Sequence, residues 1–387
     1  KSAQASGAMR FDLQIGADDR AGLNLVMPLA DVRPEQLRPV RETTKSTFAD
    51  ATRAWSARLG RVSLQLPDQR VIDCFNGSLA YLIMLCGDGK PVPGPAKYNS
   101  FWLRDAAYIA DALFYAGQGD LIPPALAEIR SMQLPDGGFL AKTRGNADEL
   151  DAPGEAIYTF VQHYKGTGDR KLPQDAWAMI LSASKFVRDQ RVSADGILPP
   201  SVSAEDLGSG KHQHYWDDFW CVRGLRDAAF AARELGKAKD AEWMQAEADS
   251  LLKATLASVR SLKTSYIPNG PQDLTSSAMA RGTSCGLWPC DVLDPNDPLT
   301  TSSFDTYWDK WIAPSKGGFI HKGHYWPYAG LDLAQGYIML GQRERAWTML
   351  DWTLKHDPTK GFYSWPEGMF TDNLTLAEGD MPHGWMC

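Results

Sequence analysis

The chain has 387 residues, of which 44% are hydrophobic and 22% are charged, and its formal net charge at pH 7 is −7. This length and composition are typical of a globular protein with one large domain, and they exclude a disordered chain. The negative charge and the lack of a long Lys/Arg cluster argue against a nucleic-acid partner. No apolar run reaches the roughly 18 to 20 residues that a membrane span requires, so no membrane partner is expected.

The first 45 residues differ in pattern from the rest of the chain. FDLQIG (11–16) and LNLVMPL (23–29) are short apolar segments with alternating polarity, which is typical of β-strands. The sequence therefore predicts a β-rich segment, or the remnant of a β domain, at residues 1–45, followed by one large helical domain at 46–387. Because the chain begins at Lys1 without an initiator Met, we expect a processed N-terminus.

From about Thr47 the apolar residues recur at helical spacing, and Gly closes many of the segments, which is the expected C-terminal stop. About eleven helices are predicted, one fewer than six helix pairs need, so a terminal helix is expected to be missing from this sequence. No segment after residue 75 has a convincing strand pattern, which indicates an all-α domain. The clearest helical segments are 71–87, 100–117, 124–133, 154–168, 174–190, 217–236, 240–259, 303–312, 328–341 and 343–355.

Aromatic and acidic residues cluster where several of these helices begin. Trp102 and Glu155 are 53 residues apart, and Glu155 and Asp218 are 63 apart. That is about the length of two antiparallel helices of roughly 15 residues each with their loops. The spacing predicts a closed ring of helix pairs whose polar starts lie at one end. The clusters are FWLRD (101–105), LDAPGE (150–155), YWDDFW (215–220), HYWPY (324–328) and WPEGM to HGW (365–385).

Carboxylates interleaved with large flat rings indicate a carbohydrate site. In HQHYWDDFW (212–220) two adjacent Asp residues lie among three large rings and a Tyr. A buried carboxylate without a partner is costly, whereas sugar hydroxyls can satisfy it and the rings can stack on the sugar. The opposing interpretation is structural: the Asp residues would stabilise a helix N-terminus, and the Trp residues would only pack the core.

The order of these motifs resembles that of the six-hairpin, or (α/α)6-barrel, glycosidases, which include glucoamylases and related bacterial glucosidases. Trp102, Arg104 and Asp105 match the W-x-R-D segment that holds the sugar in subsite −1, and LDAPGE resembles a helix start found in bacterial members. The resemblance covers about residues 70–387. It implies an (α/α)6 barrel that hydrolyses oligosaccharides or polysaccharides with an acid and a base carboxylate, with inversion and without a cofactor.

The resemblance implies positions for the two catalytic carboxyls. Glu367 in FYSWPEGMF matches the loop that carries the base. The acid Glu of these enzymes usually follows a Trp, but the corresponding stretch here reads ILPP (197–200), so the acid has to come from elsewhere. Glu205 is the first candidate, and Asp206, Asp218 and Glu155 are its rivals.

The remaining candidates are substrate-binding residues near the helix starts. Arg104 and Asp105 are adjacent on a helix and so do not face each other, but both reach a ligand if they lie in the first turn. The seven His residues are scattered, so no metal site is expected. The candidates are Trp102, Arg104, Asp105, Asp151, Glu155, Trp216, Asp217, Trp220, Trp326, Trp365, His383 and Trp385.

Two alternative functions stay open at this point. A polysaccharide lyase on a helical toroid would need basic groups to neutralise a uronate, whereas the clusters here are acidic. A non-catalytic sugar-binding protein would explain the missing Trp-Glu pair. The expected substrate slightly favours a periplasmic or secreted protein, although Cys285 and Cys290 fit either a local disulfide or two free thiols.

Overall fold

The computed structural model describes residues 16, 44–87, 89–143, 145, 149–202 and 211–387. The chain divides into two units, Lys1–Gly60 and Arg61–Cys387. Within the first unit, helix α1 (Thr44–Leu59) is described, and the β-rich segment expected at 1–45 lies almost entirely outside the described residues.

The second unit is built from helices, as the sequence predicts. Over the described ranges of this unit eleven α-helices follow one another, and they alternate between an inner and an outer position. The inner helices are α3 (Leu103–Tyr115), α5 (Ala152–Thr167), α7 (Tyr215–Glu234), α9 (Ala278–Leu287) and α11 (Pro327–Met339). The outer helices are α2 (Gln69–Leu85), α4 (Pro123–Ser131), α6 (Lys171–Gln190), α8 (Ala238–Ser261), α10 (Pro298–Tyr307) and α12 (Arg343–Lys355).

Burial separates the two sets of helices. All ten residues of inner helix α9 are buried, whereas six of the 24 residues of outer helix α8 are buried. An outer helix thus has one apolar stripe and a solvated face, while an inner helix is covered on all sides. The inner helices contact one another in chain order, α3 with α5, α5 with α7, α7 with α9 and α9 with α11. This arrangement is the (α/α)6 barrel that the sequence predicts.

Glycines allow the inner helices α5 and α7 to pack closely. A Cβ atom added to Gly154 would lie 2.2 Å from the Trp220 carbonyl oxygen, and one added to Gly224 would lie 2.6 Å from the Gly154 Cα. No side chain fits in either place. The two helices therefore cross at a glycine contact, which joins the first turn of α5 to the second and third turns of α7.

The connections at the two ends of the barrel differ in length. Inner helices α5, α7 and α11 pass to their outer partners through short turns, which contain Gly168, Gly236 and Gly341 with φ near +70°. Glycine reaches this left-handed conformation at little cost, so it ends these helices. The long connections, such as 132–151 and 191–214, all lead into an inner helix. Long loops, which often carry function, are thus gathered where the inner helices begin.

Short strands that the sequence pattern does not indicate lie in two of these long connections and in the segment after α12. β1 (Ser201–Val202) pairs with β2 (Lys211–His212) in antiparallel register. A second, four-stranded antiparallel sheet has the order β3 (Ile320–His321), β4 (His324–Tyr325), β5 (Gly368–Phe370) and β6 (Leu376–Glu378). Runs of two or three residues are too short for an alternating pattern to be recognised. Across the described ranges, no helix is long and apolar enough to span a membrane.

Candidate active site

The first turns of the inner helices carry buried polar and aromatic side chains. This brings together most of the residues that the sequence singles out, because all five inner helices begin at the same end of the barrel. The buried side chains are Arg104 and Asp105 of α3, Asp151 directly before α5, Glu155 of α5, Trp216, Asp217, Asp218 and Trp220 of α7, Arg281 of α9 and Tyr328 of α11.

A chain of direct contacts links the five helix starts. The Arg104 Nη1 atom lies 3.2 Å from Oδ2 of Asp151, which also accepts a 2.8 Å hydrogen bond from the Trp216 indole N–H. The Arg281 guanidinium lies 5.2 Å from the centroid of the Trp216 ring. It also donates a 2.7 Å hydrogen bond to the Tyr328 hydroxyl. Charge and aromatic contacts therefore run without a break from α3 to α11.

Segments outside the helices complete this series of contacts by linking Tyr328 of α11 back to Trp102, next to α3. The Tyr328 ring lies 5.5 Å from His383, and His383 lies 5.9 Å from Tyr98. The Tyr98 ring is 5.9 Å from Trp102, and its hydroxyl donates a 2.7 Å hydrogen bond to Glu367 Oε2. Because Trp102 directly precedes α3, the contacts surround the barrel mouth. Glu367 and Arg104 therefore both belong to the ring of contacts around the barrel mouth.

Carboxylates crowd around Arg104. Its guanidinium contacts Glu149 Oε2 at 2.9 Å as well as Asp151, and the Asp151 carboxylate lies close enough to Glu155 to act on its charge. Burial, reinforced by the negative charge of Asp151, raises the pKa of Glu155 well above its ordinary value. Burial and Asp151 also raise the pKa of Asp217. Neutral carboxyls in this cluster are able to donate hydrogen bonds to a ligand.

The adjacent Asp217 and Asp218 hold the connection that leads into α7. The Ser201 hydroxyl donates a 2.5 Å hydrogen bond to Asp217, and the Leu198 amide donates one of 3.0 Å to Asp218. Burial raises the pKa of Asp218 to about 8, although the Leu198 amide and the Thr255 side chain oppose the shift. Asp218 therefore anchors this connection to α7, and Asp217, whose pKa responds to Asp151, is the member of the pair that faces the carboxylate cluster.

Several buried polar atoms at this end of the barrel have no hydrogen-bond partner among the described residues. Leaving such an atom unsatisfied costs about 1–3 kcal/mol, so a group of them indicates a place for ordered water or a polar ligand. The group includes one oxygen each of Asp151, Glu155 and Asp217, and the indole N–H groups of Trp102, Trp220, Trp326, Trp365 and Trp385.

The predicted Trp residues lie at different depths. Trp102 is half-buried at the rim, with the Lys142 ammonium 4.0 Å from its ring centroid. Trp220 is deeper, where Tyr108 and Tyr158 pack against it edge-on. The others are buried around the rest of the mouth: Trp326 lies 5.7 Å from Tyr328, Trp385 lies 5.3 Å from Tyr328, and the Trp365 carbonyl accepts a hydrogen bond from the His383 amide.

The sequence patterns do not single out three of the residues at this site. Arg281 lies on α9, whose ten residues AMARGTSCGL show no clear apolar period. The preceding Ser276-Ser277 is the one usable signal of a helix start. Tyr98 lies in the Pro- and Gly-rich loop before α3. Glu149 precedes the LDAPGE motif, and no local pattern marks it as the partner of Arg104.

The acid candidate Glu205 and its rival Asp206 lie in 203–210, outside the described residues. Within the described ranges, no group of His, Cys, Asp and Glu side chains is arranged to hold a metal ion. The six Cys residues are free thiols, and Cys285 and Cys290 are both buried.

In fold, the protein is similar to (α/α)6-barrel glycosidases. A rhamnosidase from Klebsiella oxytoca with rhamnose bound superposes with a TM-score of 0.67 at 14% identity, over 84% of this chain and 64% of that one. A glycosidase variant in complex with glucose superposes with a TM-score of 0.65 at 14% identity, over 82% of this chain and 94% of that one. These likenesses establish the architecture.

Sequence relatives carry names of the same class. An uncharacterized glycosyl hydrolase of Methanocaldococcus jannaschii is 26% identical over 170 residues, which is 40% of this chain and 28% of the relative. Trehalase 1 of Sulfolobus acidocaldarius is 22% identical over 329 residues, 75% of this chain and 54% of the relative. The chain thus spans between about a quarter and about half of these relatives. No family model matches it.

Proposed function

We propose that the protein is a glycoside hydrolase that acts on oligosaccharides or polysaccharides. The observation that carries this proposal is the set of buried carboxyl oxygens and indole N–H groups left without partners, among the described residues, where the inner helices begin. A sugar ring offers hydroxyls that match such donors and acceptors, and flat C–H faces that match the Trp rings. The sugars named in the related structures support the same class of ligand.

In this proposal Glu367 is the base. It takes a proton from a water molecule, whose oxygen attacks the anomeric carbon from the face opposite the leaving group. An acid carboxyl, which we assign to Glu205, protonates the glycosidic oxygen as its bond to the anomeric carbon breaks. The reaction consumes one water, inverts the anomeric configuration and requires no cofactor. Tyr98 supports the base, because its hydroxyl hydrogen-bonds to Oε2 and fixes the direction of the carboxylate.

Arg104 and Asp105 bind the sugar whose bond is broken. Arg104 is held by Glu149 and Asp151, so its position is set before the substrate arrives. Such preorganisation removes part of the entropy cost of orienting the reacting bond. Ser201, whose hydroxyl binds Asp217 at the barrel mouth, precedes Glu205 by four residues in the sequence, and this nearness in sequence supports the assignment of the acid to Glu205.

A panel of oligosaccharides with different sugars and linkages tests this function. Incubation with the protein is expected to release reducing sugar from at least one member. Proton NMR of the first product should show the anomer opposite to that of the substrate. If no member is cleaved while circular dichroism shows the helical fold intact, the hydrolase proposal fails. Product of the same anomer would retain the hydrolase and reject inversion.

A further inference from the structure

Two loops meet beside Glu367 and are joined at three points. The first is the loop of residues 93–98, which precedes α3, and the second is the segment 378–384, which begins at the last residue of β6. The Lys97 ammonium lies 3.8 Å from Glu378, and the Gly384 amide donates a 2.6 Å hydrogen bond to the Pro93 carbonyl. Between these two contacts lies the carboxylate of Asp380.

Asp380 accepts three backbone hydrogen bonds from the first loop. The amides of Ala96, Lys97 and Tyr98 donate to its two oxygens at 2.9, 2.9 and 2.8 Å. Burial disfavours the charged form of Asp380, but the three amides and nearby His383 outweigh this effect and hold its pKa below the ordinary value. The side chain is 7% exposed, so these charge-assisted bonds are sheltered from water.

The close approach of Asp380 requires a glycine in the facing loop. A Cβ atom on Gly94 would lie 2.3 Å from Oδ2 and 2.4 Å from Cβ of Asp380. The backbone of Gly94 is not in the left-handed region, so lack of space, and not conformation, excludes a side chain there. The 93–98 loop and the 378–384 segment, held together by the Asp380 carboxylate, are called the clamp below.

Both sides of this clamp contact Glu367. Tyr98, whose amide binds Asp380, donates its hydroxyl to Glu367 Oε2. Gly379, the residue before Asp380, packs so closely that an added Cβ would lie 2.5 Å from the Glu367 Cβ. A shift of the 93–98 loop relative to Asp380 would therefore move the Tyr98 hydroxyl relative to the carboxylate.

We propose that Asp380 is a positioning residue that holds the Tyr98 hydroxyl on Glu367 by fixing the backbone of the 93–98 loop. This inference rests on the proposed role of Glu367 as the base. Asp380 touches neither substrate nor the attacking water and acts through Tyr98. Its carboxylate is required because an amide in its place would aim an N–H group at backbone N–H groups, which leaves at least one amide without an acceptor.

The test measures kcat/KM against pH for the wild type, Asp380→Asn, Tyr98→Phe and the double variant, on the best substrate from the oligosaccharide panel. Loss of one hydrogen bond to a charged group predicts a fall of roughly tenfold or more in each single variant. The acid-side limb of the profile should move to higher pH in both, because the ionised base loses a donor that favours it. The double variant should be no slower than Tyr98→Phe alone.

Two further variants guard against a loss of fold. Gly94→Ala disturbs the same contact without changing the carboxylate, and it should move the acid-side limb in the same direction. Asp297→Asn is the matched control, because Asp297 accepts the Leu299 amide at 2.9 Å at the start of outer helix α10. That variant should leave the profile unchanged.

The results separate the inference from the function on which it rests. An unmoved acid-side limb in Asp380→Asn and Gly94→Ala, or effects of Asp380→Asn and Tyr98→Phe that multiply, would overturn the positioning role. Full turnover by Glu367→Gln would instead overturn the base assignment, whatever Asp380 does. An inactive Glu367→Gln together with a normal Asp380→Asn would reject the positioning role alone.

Discussion

The Tyr98 hydroxyl donates a 2.7 Å hydrogen bond to Glu367 Oε2, although 269 positions separate the two residues in the sequence. Tyr98 lies before the first inner helix of the barrel, and Glu367 lies after its last outer helix. Helix packing around the ring brings these distant segments together. The hydrogen bond to the candidate base therefore joins a segment before the first inner helix to a segment after the last outer helix. Its geometry depends on how the whole ring of helices packs.

Tyr98→Phe should lower kcat by roughly tenfold or more, because the variant loses a hydrogen bond to a charged group while its ring remains in place. KM should change little, since Tyr98 acts on the base. Steady-state kinetics on a cleaved oligosaccharide measures both constants. A rise in KM with kcat unchanged would instead assign Tyr98 to ground-state binding.

Arg104→Met should lower the free energy of unfolding by about 3–5 kcal/mol, because it leaves Asp151 and Glu149 without the buried cation that pairs them. Denaturant titration measures the change. Arg260→Met is the control, since the Arg260 pair with Asp297 is largely exposed and is worth about 0–1 kcal/mol. Equal losses in the two variants would show that the Arg104 contacts are not truly buried.

Asp218→Asn should make stability less dependent on pH. The pKa of Asp218 in the folded chain is about 8, above the value of about 3.9 expected for the unfolded chain, so unfolding between these values releases a proton. This contribution to stability is complete below about pH 4 and is lost as the pH rises through 8. Thermal melts of the wild type should therefore show a falling melting temperature between pH 5 and pH 8, and Asp218→Asn should flatten that slope. A parallel slope in both proteins would contradict the burial of an uncharged Asp218.

Gly154→Ala should destabilise the barrel by about 1–3 kcal/mol or more, because the new methyl group overlaps the Trp220 carbonyl where α5 and α7 cross. Gly282→Ala is a matched control on inner helix α9, where the nearest atom outside the helix, Oδ1 of Asn269, is 3.6 Å from the added Cβ. That variant should be neutral or stabilising, since Ala favours a helix over Gly. Urea titrations of the two variants compare them directly.

Local sequence patterns predict most of the helices, with α9 as the exception, and most of the residues at the barrel mouth. Apolar periodicity and closing glycines predict the outer helices and four of the five described inner helices, because such a helix buries an apolar stripe and often ends at a residue that tolerates positive φ. The recurrence of aromatic and acidic residues at helix starts then predicts that Arg104, Asp151 and Trp216 come together. The contacts among these three residues agree with that prediction.

Long-range partners were not predictable from local patterns. Tyr98 and Asp380 act through contacts with residues more than 260 positions away, and nothing in their neighbours in sequence marks those contacts. Arg281 was missed for another reason: α9 is buried on all sides, so it has no polar face whose period could reveal the helix. The predictions that Glu367 is the base and Glu205 the acid remain predictions.

Glu367→Gln provides the most direct test of the account. The variant keeps the shape of the side chain but removes the negative charge that would accept a proton from water. On an oligosaccharide that the wild type cleaves, its turnover should fall by at least about a hundredfold, while calorimetry still detects binding of the same sugar. Wild-type turnover in Glu367→Gln, with the fold intact, would contradict the central claim that this carboxylate activates water in a sugar-cleaving site.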